Sequence, residues 1–136
     1  MNRCVFVIAQ DIPVGLVANT AAILSMTLGR NFPNLIGPDL IDGAGTCHRG
    51  ITTLVLPILK ATSEAISTIR SKVLSKDSGD IFVADVSNAA QETKIYEEYA
   101  ARLQIALEDD LRYLGLCLYG PDSAVRSLTG NLPLFR

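Results

Sequence analysis

Cys4-Val5-Phe6-Val7-Ile8-Ala9, then Gln10-Asp11-Ile12-Pro13, then Val14-Gly15-Leu16-Val17: this opening decides the fold. The first six residues offer an apolar side chain to both faces, as a strand does when helices cover it on both sides of a parallel sheet. Gln10 to Pro13 ends the run. Pro13 suits a helix start, because its missing N–H would have found no partner there. Val14, Val17, Ala21, Leu24 and Leu28 then recur at helical spacing, and Gly29 and Pro33 mark the helix end.

The same alternation continues along the chain. Asp39-Leu40-Ile41-Asp42, Gly43-Ala44-Gly45 and Thr46-Cys47-His48-Arg49 read as a short hairpin on a glycine-rich turn. Leu54-Val55-Leu56-Pro57-Ile58 reads as a strand that Pro57 confines to a sheet edge or terminates. Thr62, Ser63 and Glu64 open a helix that buries Ile66, Ile69 and Val73 and stops at Ser78-Gly79. Ile81 to Val86 is a core strand. Asn88 and Gln91 have capping-box spacing for a helix with Ile95, Tyr99 and Leu103 inside. Leu114 to Tyr119 is the last core strand, and Gly120-Pro121-Asp122 leads into a short helix through Val125 and Leu128, closed by Gly130. Leu132 to Phe135 is an apolar tail expected to pack back. Strands alternating with helices predict one α/β domain over residues 1–136: three layers, a mainly parallel sheet of about four strands, flanking helices and a small extra hairpin.

Composition narrows the function classes. The chain has 136 residues, 49% hydrophobic and 19% charged, which suits a packed core. The apolar run from Val14 to Leu28 is interrupted by Asn19, Thr20, Ser25 and Thr27, so it is no membrane span. The six apolar residues from Cys4 are too few for a signal-peptide core. The formal net charge is −2 with a pI near 5.3, and lysines occur only at 60, 72, 76 and 94. Without a basic stripe to neutralise phosphates, nucleic acid is not expected as a partner, nor is a membrane. Three widely spaced cysteines, Cys4, Cys47 and Cys117, fit neither a disulfide framework nor a zinc cluster, and reduced thiols in a cytoplasmic protein are expected. No metal or cofactor is expected.

In open α/β sheets ligands collect beyond the carboxyl ends of the strands. Polar residues hold those places here: Asp11 after the first strand, Asn19 and Thr20 in the first helix, and Asp85, Ser87 and Asn88 after the third core strand. Gly120 and Asp122 follow the last. If these strands are parallel, the groups line one cleft. Asp11, Ser87, Asn88 and Asp122 are also good helix caps. Secondary candidates are His48 with Asp39 or Asp42 across the hairpin, and Asp109 in the acidic turn Asp109-Asp110. His48 is the only histidine, which excludes multi-histidine metal sites and histidine-pair acid–base chemistry. No nucleophile elbow or phosphate loop is present.

Several stretches taken together resemble a bacterial family classed as a domain of unknown function. They are Cys4 to Gly29 around Asp11-Ile12-Pro13-Val14-Gly15-Leu16-Val17-Ala18-Asn19-Thr20-Ala21-Ala22, and the ending Gly120-Pro121 with Leu128-Thr129-Gly130-Asn131-Leu132-Pro133-Leu134. Gly37-Pro38-Asp39, His48-Arg49-Gly50-Ile51-Thr52 and Arg112-Tyr113-Leu114-Gly115 lie between. That family is similar in fold to type 2 peptidyl-tRNA hydrolases, small dimeric α/β enzymes that release peptides from tRNA. They share the strand–helix opening and the closing pattern Gly-Pro, Thr-Gly, Leu.

The resemblance implies the fold and a homo-oligomer, a dimer first, but the chemistry departs from it. The hydrolases carry an essential lysine just after the first strand, where this chain reads Pro13-Val14-Gly15-Leu16-Val17 and has no lysine before Lys60. Their Gln-Cys-Ser/Thr-His stretch is replaced by Asn19-Thr20-Ala21-Ala22, and their glycine-flanked aspartate has only Asp109 or Asp110 as a positional counterpart. Neither Val14 nor Leu16 can hold developing negative charge. The expectation is a hydrolase-like scaffold without that activity, binding a small ligand in the strand-end cleft. The alternatives are a hydrolase with rearranged residues, using His48 or Asp85 as base, and a non-catalytic homo-oligomeric interaction module.

Overall fold

A computed structural model describes residues 1–75 and 80–136; the helix stop expected at Ser78-Gly79 falls outside them. The elements run β1 (Asn2–Ala9), α1 (Val14–Asn31), a 3₁₀ turn (Pro33–Leu35), β2 (Leu40–Ile41), β3 (Cys47–His48), β4 (Ile58–Ala61) and α2 (Ser63–Leu74). Then come β5 (Phe82–Ser87), α3 (Asn88–Gln91), α4 (Tyr96–Ile105), a 3₁₀ turn (Glu108–Asp110), β6 (Tyr113–Pro121) and α5 (Asp122–Thr129).

Among the described residues four strands form the main sheet in the order β4-β1-β6-β5, and β2 and β3 make the small hairpin. β1 and β4 are parallel, whereas β6 is antiparallel to both of its neighbours, β1 and β5. The expected mainly parallel sheet is therefore a mixed one. The physical reason lies in the β5–β6 connection, whose helices do not carry the chain back across the sheet. Asn88 N–H donates to Arg112 O at 2.9 Å, and Arg112 N–H donates to Asn88 Oδ1 at 3.0 Å. This reciprocal clasp starts β6 at the end where β5 stops. Burial on both faces, which the apolar runs did signal, is the same for a central strand of either direction.

The pleat sorts the core into two layers. Cys4, Phe6, Val86 and Cys117 face α1 through Leu24 and Leu28. Val5, Val7, Leu116 and Leu118 face α2 through Ile66, Ile69 and Val73, and α5 through Val125. Ile66 is fully buried, worth about 2 kcal/mol on transfer from water. A bulge between Val86 and Ser87 opposes Tyr113 to Ser87 and Gly115 to Val86. The extra residue, Leu114, joins the α1 layer, while Tyr113 turns to the α2 side under the Arg70 guanidinium, 4.8 Å from its ring centre.

Local chemistry moves several predicted boundaries. β4 begins after Pro57, not at Leu54, because proline has no N–H for a ladder. The tail covers this strand's free edge: Lys60 N–H donates to Pro133 O at 3.0 Å, Phe135 N–H donates to Ile58 O at 2.8 Å, and Leu59 bridges Leu134. Val14 is 84% exposed rather than core. The helix expected from Asn88 through Leu103 is two helices, and Ser87 caps the first by accepting from Ala89 N–H at 3.3 Å. α2 opens where Thr62, Ser63 and Glu64 were expected to start it, and Thr62 caps it by accepting from Ala65 N–H at 3.1 Å. Gly120 closes β6 where a Cβ would lie 2.9 Å from Asp80 O, so a methyl group there meets backbone.

Candidate functional site

β1, β4 and β5 point the same way, so α1, α2 and α3 all begin at one end of the sheet. Arg112, the residue before β6, is the hub of that end. Its Nη2 donates to Asp11 Oδ2 at 2.5 Å, its Nε to Ser63 Oγ at 3.1 Å, and its backbone holds Asn88. Both partners in the Arg112–Asp11 pair are about half exposed, so the pair contributes little by itself. Its role is geometric, tying the turns after β1, β4 and β5 to the start of β6. Arg112 opens the stretch Arg112-Tyr113-Leu114-Gly115 that carries part of the resemblance, but an arginine before a strand carries no sign of three partners up to 101 residues away.

Beside the clasp lies a cleft of about 250 Å³, lined by Asn88, Ala89, Glu92, Arg102, Ile105, Ala106, Asp110 and Leu111. Arg102 Nη1 donates to Glu92 Oε1 at 3.1 Å, Asp110 Oδ2 accepts from Leu107 N–H at 3.0 Å, and Asn88 Nδ2 reaches toward Asp110 O at 3.5 Å. One wall is thus charged and the other aliphatic, the mixture that orients a small molecule. Glu92, Arg102 and Asp110 were not among the expected residues, because α3 and α4 were read as one helix and their facing was hidden.

The structure brings together only part of the expected set. Asp11 and Asn88 meet through Arg112, and Asn88 lines the cleft. Ser87 is buried as a cap. Asn19 is on the exposed side of α1. Thr20 is fully buried against the sheet, its Oγ1 without a hydrogen-bond partner among the described residues. Its methyl packs where Gly115 lacks a Cβ, since one there would lie 2.7 Å from Thr20 Cγ2. Asp85 is on the other face of the sheet, accepting from Arg70 Nε at 3.2 Å. Burial raises the Tyr99 phenol above its ordinary value, and nearby Asp85 adds to the shift. Gly120 and Asp122 are at the opposite end of the sheet, because β6 runs the other way.

The secondary candidates line neither the cleft nor the Arg112 contacts. His48 Nε2 and Asp42 Oδ2 are 2.7 Å apart on the exposed hairpin. Asp42 also accepts from Ala44 and Thr46 N–H, and the His48 hydrogen bond leads these contacts in holding its carboxyl below the usual range. Asp39 pairs instead with Arg49 at 2.9 Å and accepts from Gly50 N–H. Asp109 is exposed in its turn. Cys4 and Cys117 are buried with their sulfurs 3.8 Å apart, and that contact together with burial pushes the Cys117 thiol far up. A thiol so held is a core group rather than a nucleophile. Among the described residues no three histidine, cysteine, aspartate or glutamate side chains cluster as metal ligands, and no helix is long and apolar enough to cross a membrane.

A protein of unknown function from Agrobacterium tumefaciens strain C58 has a similar solved structure, with a TM-score of 0.89 at 18% identity, covering 99% of this chain and 98% of that one. At that identity the likeness is one of fold. No curated protein matches the sequence. The family described as proteins of unknown function, DUF2000, matches residues 2–136, and the chain belongs to that family.

Proposed function

We propose that this chain keeps a type 2 peptidyl-tRNA hydrolase-like scaffold, has lost the hydrolase chemistry, and binds a small polar molecule in the cleft between α3 and α4. The carrying observation is the 250 Å³ cleft, where the Glu92–Arg102 pair and Asn88 face the aliphatic Ile105 and Leu111. The scaffold reading is supported by what the closing motif does: Gly120-Pro121 ends β6, Thr129-Gly130 closes α5, and Leu132 packs against the α2 layer. The loss of chemistry is supported at α1, whose first turn offers Val14, Gly15 and Leu16 where the hydrolases place a lysine. Arg112, which reaches the turn after β1, is engaged with Asp11 and Ser63.

A thermal-shift panel of small polar metabolites tests the binding. At least one compound should raise the melting temperature of the wild type and fail to raise that of Arg102→Gln. A panel that stabilises neither protein, or both equally, overturns the assignment.

A second reading, a homo-oligomeric interaction module, is favoured by α1. Its outer face is uncharged from Val14 to Gly29, with Val14 84% and Met26 80% exposed. The apolar tail does not serve this role, since it is spent on the β4 edge. Light scattering should show a dimer that Met26→Glu converts to monomer; a wild-type monomer removes this reading.

A further inference from the structure

At the opposite end of the sheet two cavities, of about 330 and 350 Å³, share Arg3 and Pro57 and so meet across the start of β1. The floor on the α5 side is apolar: Val5 and Leu59 are buried and Leu132 is half-buried. Across Pro57 the lip continues through Leu54 and Val55, the latter 83% exposed. Two arginines stand at this groove and share one carboxylate. Arg3 Nε donates to Asp122 Oδ1 at 2.6 Å, and Arg126 Nε pairs with Asp122 Oδ2 at 3.0 Å. Among the described residues no other side chain pairs with either guanidinium, so their terminal nitrogens keep their donors. One carboxylate against two guanidinium groups leaves a positive charge beside an apolar floor.

We propose that this groove binds an amphipathic carboxylate, its head on the free donors of Arg3 and Arg126 and its alkyl body over Val5, Leu59 and Leu132. Guanidinium groups suit carboxylates because their paired N–H groups match the two oxygens. Asp122 acts as the positioning group that fixes both forks through Nε. The surface on which the alkyl body rests is built by the covered β4 edge and the returning tail, which gives the closing Leu132 a use besides packing.

Calorimetry on the full chain tests this with octanoate as probe. Saturable one-to-one binding is expected. Octanamide, with the same chain and no charge, should bind at least about tenfold more weakly, as should octanoate to Arg126→Gln. Arg126 is 63% exposed on its side chain and Asp122 keeps Arg3, so this variant folds, which a melting curve checks. Arg126→Lys keeps the charge without the fork and should fall between wild type and Arg126→Gln. Absence of saturable octanoate binding, equal binding of octanamide, or unchanged affinity in Arg126→Gln overturns the proposal. Binding of inorganic phosphate without octanoate overturns it too, because the apolar floor would then have no part.

Discussion

The two ends of the sheet use arginine differently. At the carboxyl ends of β1, β4 and β5, Arg112 donates to a carboxylate, a hydroxyl and, through its backbone N–H, an amide oxygen, and its charge is matched by Asp11 alone. At the other end Arg3 and Arg126 divide Asp122 between them. An arginine matched by its own carboxylate ties parts of the fold together, whereas two arginines sharing one carboxylate leave a positive charge for a ligand. Strand-end geometry alone does not distinguish these cases; the ratio of guanidinium groups to carboxylates does.

The largest effect is expected where the lower end is closed. Gly120→Ala drives a methyl group to 2.9 Å from Asp80 O and 3.1 Å from Ile81 Cα, and should destabilise by about 1–3 kcal/mol in urea unfolding. A neutral result would show that the β5 entry yields and that this end is not closed by contact. Thr20→Val, midway between the ends, sharpens the comparison from the opposite direction. Its buried hydroxyl has no partner among the described residues, so replacing it by a methyl should stabilise by about 1 kcal/mol, read as a higher melting temperature. Arg112→Ala removes the guanidinium contacts to Asp11 and Ser63 and leaves the backbone clasp with Asn88 in place. Those contacts are half exposed, so about 1 kcal/mol is expected in urea unfolding, with amide exchange at Asn88 and at residue 112 left slow because their backbone bonds remain.

The acid response comes next. Arg3, with the nearby Arg126, holds the Asp122 carboxyl below the usual range. A depressed carboxylate stabilises fully above its ordinary value, and the contribution is lost as pH falls through the lower folded value. Acid titration of unfolding should therefore be shallower for Asp122→Asn than for wild type, the two curves converging at the acid extreme. Parallel curves would place the sensitivity elsewhere, with Asp42 the next residue to test, since His48 lowers it in the same direction. The smallest effect is at Val14→Lys: at 84% exposure the change in stability should stay within about 0.5 kcal/mol.

Much of the fold was legible because burial leaves a trace in composition. Cys4 to Ala9 read as a two-sided strand, Leu114 to Tyr119 as a core strand, Ile66, Ile69 and Val73 as one helical face, and Thr62 to Glu64 as a helix start, and each is so placed. Strand direction was not legible. A central strand with helices on both faces carries the same apolar run whether parallel or antiparallel, and only the Asn88–Arg112 clasp turns β6 around. That one reversal split the expected cleft, sending Asp122 to the far end. The pleat removed Asp85, whose strand parity puts it on the α2 face with Arg70. Asn88 was found because helix starts attract such residues, while Arg102 and Glu92 were missed because their meeting depends on a break between α3 and α4 that no proline or glycine announces.

The claim that the scaffold has been separated from hydrolysis is tested most directly by incubating the purified chain with peptidyl-tRNA beside a known type 2 hydrolase. Release of peptide by the control alone is the predicted result. Release by this chain at a comparable rate, falling when Arg112 is replaced by alanine, would contradict the account and give the clasp arginine the role of the missing lysine.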